Sequence, residues 1–457
     1  MNLTGADKNM RESAGPPGGH ETGNADILLV NGIVLTMNGN SDTYEPGGVA
    51  VRDGVVMDVG PSEHIRSRYR ASRILDTSGC VVLPGLINSH THAAMTLFRG
   101  LADDLPLLDW LERHIFPAEK KLSAEWVFWG TLLACAEMIQ SGTTTFCDMY
   151  LFEHEVARAA GAAGMRALVG EVLYDFPSPA YGPVENGLRH TESLIAEWKD
   201  DPLVRIAVEP HAVYTCSPEL LIKCHELAAK HDVPLIIHLS ENDAEVNQVR
   251  KRYGVSPVVH LENLGMLDRR LIADHCVSLD ERDMELLALR QVQVVHNPES
   301  NMKLASGIAP VPRLIDLGVN VALGTDGCAS NNDLDLFGEM DSCAKLHKVA
   351  TLDPTVLPAG TVVKMATRNG ARALGMEGKT GEIQPGCWAD IIVVDLDKPH
   401  LTPLFSCASH LVYAARGSDV RHSIIHGRLV MENRRLLTID VAEAISRVRE
   451  FARKIRV

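Results

Sequence analysis

The chain has 457 residues, of which 46% are apolar and 23% charged, a composition typical of a globular protein with one large domain and a smaller one. With 44 basic and 59 acidic residues it carries a formal charge of −15, which argues against a nucleic-acid or anionic-membrane partner. No apolar run approaches the roughly 18 residues of a transmembrane helix, so no membrane partner is expected.

Residues 1–25 are polar, rich in glycine and proline, and lack the apolar segment of a signal peptide. We predict a disordered leader there. The ten cysteines are scattered without a C-x-x-C pair, a distribution typical of free thiols in a reducing compartment. We therefore expect a cytoplasmic protein.

Short β-like segments occur near both ends of the chain, at 27–37, 47–60, 72–85, 389–397 and 423–437. The pairs Asn31-Gly32 and Asp53-Gly54, each between alternating apolar residues, predict hairpin turns. Similar segments at both ends predict a small composite β-sandwich, built from residues 26–84 and 381–440.

Residues 85–380 alternate apolar runs with helix-like segments. The eight apolar runs end near Asn88, Met149, Leu173, Pro210, Leu239, His275, His296 and Gly324. Ser123 and Ser217 have the character of helix N-caps, and Pro218 suits a first helical position. Continuous apolar strands separated by helices predict a parallel sheet covered by helices, and eight such units predict an α/β fold of the (β/α)8 TIM-barrel type.

The last segment, 441–457, has the apolar pattern of an amphipathic helix. We expect it to pack on the barrel or on a neighbouring subunit. A homo-oligomer is also expected.

Polar residues follow the apolar runs at what would be the carboxyl rim of the barrel, where the active sites of such barrels lie. They are His90, His92, Glu209, His211, His238, Glu241, His275 and Asp326. Structural hydrogen bonding would explain any one of the histidines. Their convergence on one rim favours a functional site.

Three imidazoles and one carboxylate from this rim form a ligand set suited to Zn²⁺ or Fe²⁺. The set consists of His90, His92, His238 and Asp326. It leaves room for a water molecule, whose pKa the metal lowers to about 7. Glu241 is then expected to move the proton of this water, and His275 to orient the water or stabilise developing charge. The fourth strand has no lysine that could bridge two metals, which favours one ion.

The motifs PGLINSHTH, HLSEN, ADHC, VVHNPESNMKLASGIAPV and LGTDGCASNN resemble those of the amidohydrolase superfamily, and most closely its methylthioadenosine/S-adenosylhomocysteine deaminases. The resemblance extends from about residue 27 to residue 440. It implies a barrel hydrolase that acts on C–N bonds of cyclic amidines, with one zinc ion or, as the alternative, iron.

The implied reaction is hydrolytic deamination of an adenine nucleoside, which yields a 6-oxo product and ammonia. The implied substrates are 5′-methylthioadenosine, S-adenosylhomocysteine, 5′-deoxyadenosine and adenosine.

The resemblance also implies a role for each matching residue. The implied metal ligands are His90, His92, His238 and Asp326. Glu241 matches the proton shuttle and His275 the strand-six histidine, while Asp326 also helps deliver a proton to the departing ammonia. His211 matches a histidine that hydrogen-bonds the purine, Glu119 a carboxylate that binds the ribose 2′- and 3′-hydroxyls, and Trp110 a packing residue above the nucleoside.

One stretch departs from the family pattern. Members that handle S-adenosylhomocysteine can use two arginines after strand three for the amino-acid carboxylate. Here Glu171 stands about where the first arginine would be, and only Arg189 lies near the second. Because like charges repel at close range, this difference favours neutral 5′ groups. S-adenosylhomocysteine stays a substrate if Arg189 reaches the site.

Two other functions fit parts of the pattern. The first is a related amidohydrolase acting on another aminated or chlorinated ring, such as guanine, cytosine or a triazine. The second is a catalytically inactive barrel kept as a scaffold. An inactive barrel should have lost a metal ligand, whereas this sequence retains all four.

Overall fold

The computed structural model describes residues 23–105 and 107–455. The predicted leader at 1–25 therefore lies outside the described residues as far as residue 22. Residues 23–25 already belong to the first strand, where Gly23 begins a parallel pairing at Tyr69.

Eighteen β-strands lie within the described residues: β1 (Gly23–Leu35), β2 (Thr43–Arg52), β3 (Val55–Pro61), β4 (Tyr69–Asp76), β5 (Cys80–Pro84), β6 (Leu86–Thr91), β7 (Thr143–Tyr150), β8 (Arg166–Leu173), β9 (Val204–Ile206), β10 (Glu209–Pro210), β11 (Leu235–Leu239), β12 (Leu271–His275), β13 (Gln293–His296), β14 (Asn320–Leu323), β15 (Ile391–Asp395), β16 (Val420–Ile425), β17 (Arg428–Glu432) and β18 (Arg435–Leu436).

Seventeen α-helices lie in the same described ranges: α1 (Ser62–Arg68), α2 (Leu107–Trp110), α3 (Phe116–Glu119), α4 (Ala124–Gln140), α5 (Glu153–Ala163), α6 (Val184–Trp198), α7 (Pro218–His231), α8 (Asp243–Tyr253), α9 (Pro257–Asn263), α10 (Glu281–Leu289), α11 (Pro298–Lys303), α12 (Val311–Asp316), α13 (Leu336–Thr351), α14 (Ala359–Met365), α15 (Arg368–Ala373), α16 (Cys407–Tyr413) and α17 (Val441–Ile455). A π-helix at Leu111–Ile115 joins α2 to α3, and a 3-10 helix, Ala93–Phe98, follows β6.

The central strands form the barrel. One parallel sheet runs β6-β7-β8-β10, with β9 also paired to β8, and a second runs β11-β12-β13-β14. A parallel bridge between Val208 and Leu235 joins the two sheets. On the opposite side, the amide of Thr325 donates to the carbonyl of His90 at 3.1 Å, which links the end of β14 to β6. The predicted (β/α)8 barrel is therefore confirmed.

The helix-start prediction at Ser217 is confirmed by a cap hydrogen bond. The Ser217 hydroxyl accepts from the Leu220 amide at 3.3 Å, and Pro218 occupies the first turn of α7. Ser123 also precedes α4, but its side chain forms no cap hydrogen bond there.

Strands from both chain ends form one nine-stranded sheet, in the order β18-β17-β16-β15-β5-β1-β2-β3 with β4 beside β1. The sheet encloses a core of its own that includes Leu29, Val51, Val393 and Ile424. As expected, the two ends of the chain build a common β-structure next to the barrel.

The predicted hairpin at Asn31-Gly32 is wrong. Strand β1 continues through these residues with an irregular register, and Asn31 has a φ of 72°. A side chain at Gly32 would begin 2.5 Å from the Thr77 hydroxyl, so close packing explains the glycine. Asp53-Gly54 does form the turn between β2 and β3.

The C-terminal helix α17 packs on the barrel. Phe451, almost fully buried, contacts Trp126 of α4 at a ring-centroid distance of 4.9 Å and Phe98 at 6.2 Å. Packing of this helix on the barrel, one of the two predicted arrangements, is thereby confirmed.

Across the described ranges, no single helix has the length and apolar character needed to cross a membrane, although one bent pair, Leu111–Glu119 with Ala124–Gln140 at 110°, meets those criteria jointly.

Candidate active site

A pocket of about 710 Å³, its open mouth included, lies at the carboxyl ends of the barrel strands. Its size and position are typical of barrel active sites. The predicted site residues that line it are His92, Trp110, Glu119, His211, His238, Glu241, His275 and Asp326. His90 is fully buried, with its ring 4.9 Å from that of His92. The fold thus brings together residues from positions 90 to 326.

The three histidines predicted as metal ligands share one orientation. Nδ1 of His92 and Nδ1 of His238 each point to a main-chain carbonyl oxygen, at 2.9 Å for His238. A carbonyl only accepts, so Nδ1 carries the proton in both rings. His90 directs Nδ1 to the Asp274 carboxylate at 2.9 Å. In each ring the lone pair of Nε2 is therefore available to coordinate a metal ion. This arrangement is typical of metal-ligating histidines.

The Nε2 atoms of His90 and His92 lie beside Asp326. Its Oδ1 lies 3.1 Å from Nε2 of His92 and 3.6 Å from Nε2 of His90. Donor atoms that share one zinc ion at about 2.0–2.1 Å lie roughly 3.3 Å apart in tetrahedral geometry. The donor atoms of His90, His238 and His275 also lie within 4.8 Å of one another. These residues therefore fit a divalent cation.

The charge around His90 supports the same conclusion. Burial alone would lower the pKa of His90, but Asp274 and Asp326 raise it to about 10. Burial would likewise raise the pKa of Asp326, yet hydrogen bonds with His90 and His92 hold it well below its usual range. Buried carboxylates require nearby positive charge, which a bound cation would supply.

The second oxygen of Asp326 is held by two hydroxyls. Ser300 donates to Oδ2 at 2.6 Å and Ser330 donates to the same atom at 2.9 Å, while the Gly327 amide donates to Oδ1 at 2.8 Å. Both serines lie in motifs shared with the amidohydrolases, but the sequence pattern alone predicted no role for either. Their position just after β13 and β14 was the available signal.

Asn301, another residue that the sequence did not predict, orients His275. Its Nδ1 lies 2.9 Å from Oδ1 of Asn301, an acceptor, so Nδ1 carries the proton. Nε2 is left unprotonated and can accept a hydrogen bond. Burial lowers the pKa of His275, which favours this neutral form.

Glu241 lies on the wall of the pocket and is almost fully buried. Burial, followed by the charge of Asp326, raises its pKa to about 8. Its main-chain amide donates to Glu245 at 2.7 Å, which fixes the chain after β11. A carboxyl group with a pKa near the working pH suits acid–base chemistry.

The outer pocket is aromatic and apolar. Phe176 stacks on Tyr174 with ring centroids 3.8 Å apart, and Phe116 lies 6.3 Å from Phe176. Trp110 and Glu119 reach the pocket from the α2–α3 segment. Among the described residues, no lysine or arginine lines it.

The charge-repulsion role predicted for Glu171 is wrong. Glu171 is 0% exposed, does not line the pocket, and accepts from the amides of Phe152 at 3.1 Å and Glu153 at 2.9 Å. It thus binds the start of α5. Val172 and Tyr174 line the pocket instead, because alternate residues of an extended segment face opposite sides. Arg189 is exposed, bonds to its neighbour Asn186 and does not line the pocket either.

Comparisons with known proteins give a consistent result. The amidohydrolase family model matches residues 81–430. A 5-methylthioadenosine/S-adenosylhomocysteine deaminase of Syntrophobacter fumaroxidans is 70% identical over 432 residues, covering 94% of this chain and 99% of that protein. A 5′-deoxyadenosine deaminase of Methanosarcina acetivorans is 48% identical over 433 residues, covering 94% and 98%.

Solved structures agree on the fold. The crystal structure of an adenosine deaminase from Xanthomonas campestris with bound zinc is 40% identical, covers 95% of this chain and 99% of its own, and superposes with a TM-score of 0.94. An atrazine chlorohydrolase from Arthrobacter aurescens complexed with zinc, at 24% identity, shares the fold with a TM-score of 0.87 over 93% of this chain and 100% of its own.

Proposed function

Because the chain belongs to the amidohydrolase family, a family of metal-dependent hydrolases, we propose that it is a hydrolytic deaminase of adenine nucleosides. The resemblance seen in its motifs is thereby confirmed. The reaction replaces the 6-amino group with a 6-oxo group and releases ammonia. One observation carries the proposal: three outward Nε2 atoms and Asp326 converge beside a buried, protonatable Glu241.

The metal site is proposed to bind a single zinc ion through His90, His92, His238 and Asp326, with iron as the alternative. When bound, the metal supplies a Lewis acid that lowers the pKa of water at the site. Support for zinc comes from the zinc reported in the adenosine deaminase relative. Support for one ion comes from the barrel segment at β9 and β10, which offers no lysine as a bridging ligand.

The remaining residues of the site are proposed to transfer protons and to bind the substrate. Protonated Glu241 donates to ring nitrogen N1. Asp326 accepts the proton of the hydroxyl added at C6 and passes it to the amino group, which leaves as ammonia. His275, with Nε2 unprotonated, accepts a hydrogen bond at the reacting centre. His211, held through Nδ1 by Thr215 at 2.9 Å, contacts the purine. Glu119 accepts from the ribose hydroxyls.

The 5′ substituent is proposed to be neutral. The aromatic outer wall and the absence of cations among the described lining residues suit 5′-methylthioadenosine, 5′-deoxyadenosine or adenosine. The zwitterionic tail of S-adenosylhomocysteine would lose hydration there without gaining a charged partner. The preference for neutral 5′ groups is therefore attributed to the walls of the pocket and not to Glu171.

The alternative of a related amidohydrolase acting on another ring is less well supported. The guanine deaminase and triazine hydrolase neighbours are 23–24% identical and share the fold alone. Glu119 in the pocket favours a riboside over a free base. An inactive scaffold would not be expected to keep the Nδ1 hydrogen bonds that orient His92 and His238.

The test is ammonia release by zinc-loaded protein from 5′-methylthioadenosine, 5′-deoxyadenosine, adenosine, S-adenosylhomocysteine, guanine and cytosine. We expect turnover of the adenine nucleosides, with neutral 5′ groups ahead of the homocysteine derivative. Turnover of a free base alone would contradict the nucleoside assignment. No ammonia from any of the six would contradict deamination.

A further inference from the structure

Tyr150 lines the pocket, and its buried hydroxyl has no partner at full hydrogen-bond distance among the described residues. The residue ends β7 and is 4% exposed. Buried polar groups are nearly always paired. A hydroxyl left unpaired on the wall of a binding pocket therefore indicates a group that a ligand satisfies.

The surroundings of this hydroxyl indicate which ligand group it meets. Glu119 lines the same pocket, and the ring of Tyr150 lies 5.9 Å from that of His92. Burial raises the pKa of Glu119 to about 7, while the nearby Tyr150 hydroxyl and His92 oppose the increase. A carboxylate only accepts when ionised, whereas a phenol can donate.

An acceptor beside a donor is complementary to a vicinal diol, because each hydroxyl of the diol both donates and accepts. Glu119 can accept from two neighbouring hydroxyls but cannot donate to either when ionised. The lone pairs of the ribose oxygens would stay unsatisfied in a buried pocket without a second protein group. Tyr150 supplies the missing donor.

We infer that Tyr150 is a substrate-binding residue whose hydroxyl donates to a ribose 2′- or 3′-oxygen, while Glu119 accepts from the same diol. This inference rests on the proposed function, since it assumes a nucleoside in the pocket. It makes the enzyme selective for ribonucleosides over their 2′- and 3′-deoxy analogues through two residues on different elements, α3 and β7.

The test compares Tyr150→Phe with the wild type on adenosine and its 2′-deoxy, 3′-deoxy and 2′,3′-dideoxy analogues, which differ only in ribose hydroxyls. Loss of one neutral hydrogen bond should lower kcat/KM on adenosine about 10-fold, mainly through KM. On 2′,3′-dideoxyadenosine the two proteins should agree within about 2-fold, because the contact is already absent there.

Tyr253→Phe is the matched control. The Tyr253 hydroxyl is also buried and unpaired among the described residues, but its ring stacks on His260 outside the pocket. It should leave every ratio unchanged. The Tyr150→Phe protein should keep its zinc, since Tyr150 is not one of the proposed metal ligands.

An equal loss on adenosine and on the dideoxy analogue would overturn the inference, because it would mean a structural effect, and so would no loss on either. A wild-type protein that deaminates none of these nucleosides, and none of the six compounds in the first assay, would overturn the proposed function itself. The two failures are therefore distinguishable.

Discussion

At the scale of single residues, the two oxygens of Asp326 have different surroundings. Oδ1 faces the histidines, whereas Oδ2 accepts from the hydroxyls of Ser300 and Ser330. Hydrogen bonds to an ionised carboxylate are among the stronger ones in proteins. The two serines should therefore fix the rotamer of Asp326 and reduce the basicity of Oδ2.

Replacing either serine should weaken catalysis more than folding. For Ser300→Ala and for Ser330→Ala we expect bound zinc to be retained and kcat to fall about 10-fold, since each loses one charge-assisted hydrogen bond. The measurements are kcat and zinc content. Ser306→Ala is the control, because its hydroxyl has no hydrogen-bond partner among the described residues. A normal kcat in both variants would rule out the role.

Much of the site could be predicted at this scale, because each candidate ligand directly follows an apolar run and barrel strands deliver such residues to one rim. Glu171 shows the limit. Its place in the sequence was near the pocket wall, but adjacent residues of a strand face opposite sides, and Val172 and Tyr174 took the pocket face. Ser300, Ser330 and Asn301 escaped notice because hydrogen-bond partners depend on loop geometry.

At the scale of elements, the segment after β8 forms part of the pocket mouth. Phe176 is 41% exposed and packs between Tyr174 and Phe116, where a longer cationic side chain could reach a ligand's 5′ tail. This segment should therefore decide between neutral and charged 5′ groups.

Introducing a cation there should change that preference. We expect Phe176→Arg to raise kcat/KM for S-adenosylhomocysteine relative to 5′-methylthioadenosine about 5-fold, the strength of a partly exposed ion pair. The ratio is measured by competition between the two substrates. Phe405→Arg, at a residue that is 90% exposed and outside the pocket, should leave the ratio unchanged. The same result for both variants would contradict the proposed 5′ site.

Helix α13 contacts strand β13 through a buried histidine pair. Nε2 of His347 lies 3.2 Å from Nε2 of His296, and both residues are almost fully buried. Burial lowers the pKa of His347 to about 4, well below the usual value near 6.5. The pair is therefore stable in its neutral form.

This pair should make the fold sensitive to acid. Below pH 6.5 the unfolded chain takes up a proton at His347 that the folded protein takes up only near pH 4, so stability is lost across this interval. The expected loss at pH 5 is about 2 kcal/mol for this residue. It is measured as the thermal midpoint at pH 7 and pH 5. His347→Gln should flatten the dependence, and an unchanged slope would refute the assignment.

At the scale of the whole molecule, the barrel could be predicted because its strands are continuous apolar runs at regular intervals. The pairing of strands in the nine-stranded sheet was harder to predict. Its register pairs Val82 with Val393, more than 300 residues apart, and nothing local in either segment specifies that partner. The Asn31-Gly32 hairpin failed for a related reason, since packing against Thr77 and two neighbouring strands overrode the local turn signal.

The whole molecule thus assembles one centre from strand ends spread over more than two hundred residues. The central claim is that this centre binds a metal through His90, His92, His238 and Asp326, and that Glu241 moves protons beside it without being needed to hold the metal. Mutation of the metal ligand Asp326 should therefore affect zinc binding, whereas mutation of Glu241 should affect turnover alone.

The most direct measurement determines bound zinc and ammonia release together for the wild type, Asp326→Ala and Glu241→Gln, with 5′-methylthioadenosine as substrate. Asp326→Ala should lose both zinc and activity. Glu241→Gln should retain one zinc per chain and lose at least about 100-fold in kcat, the contribution typical of a general acid–base group. Full turnover by Glu241→Gln, or full zinc content and turnover in Asp326→Ala, would contradict the account.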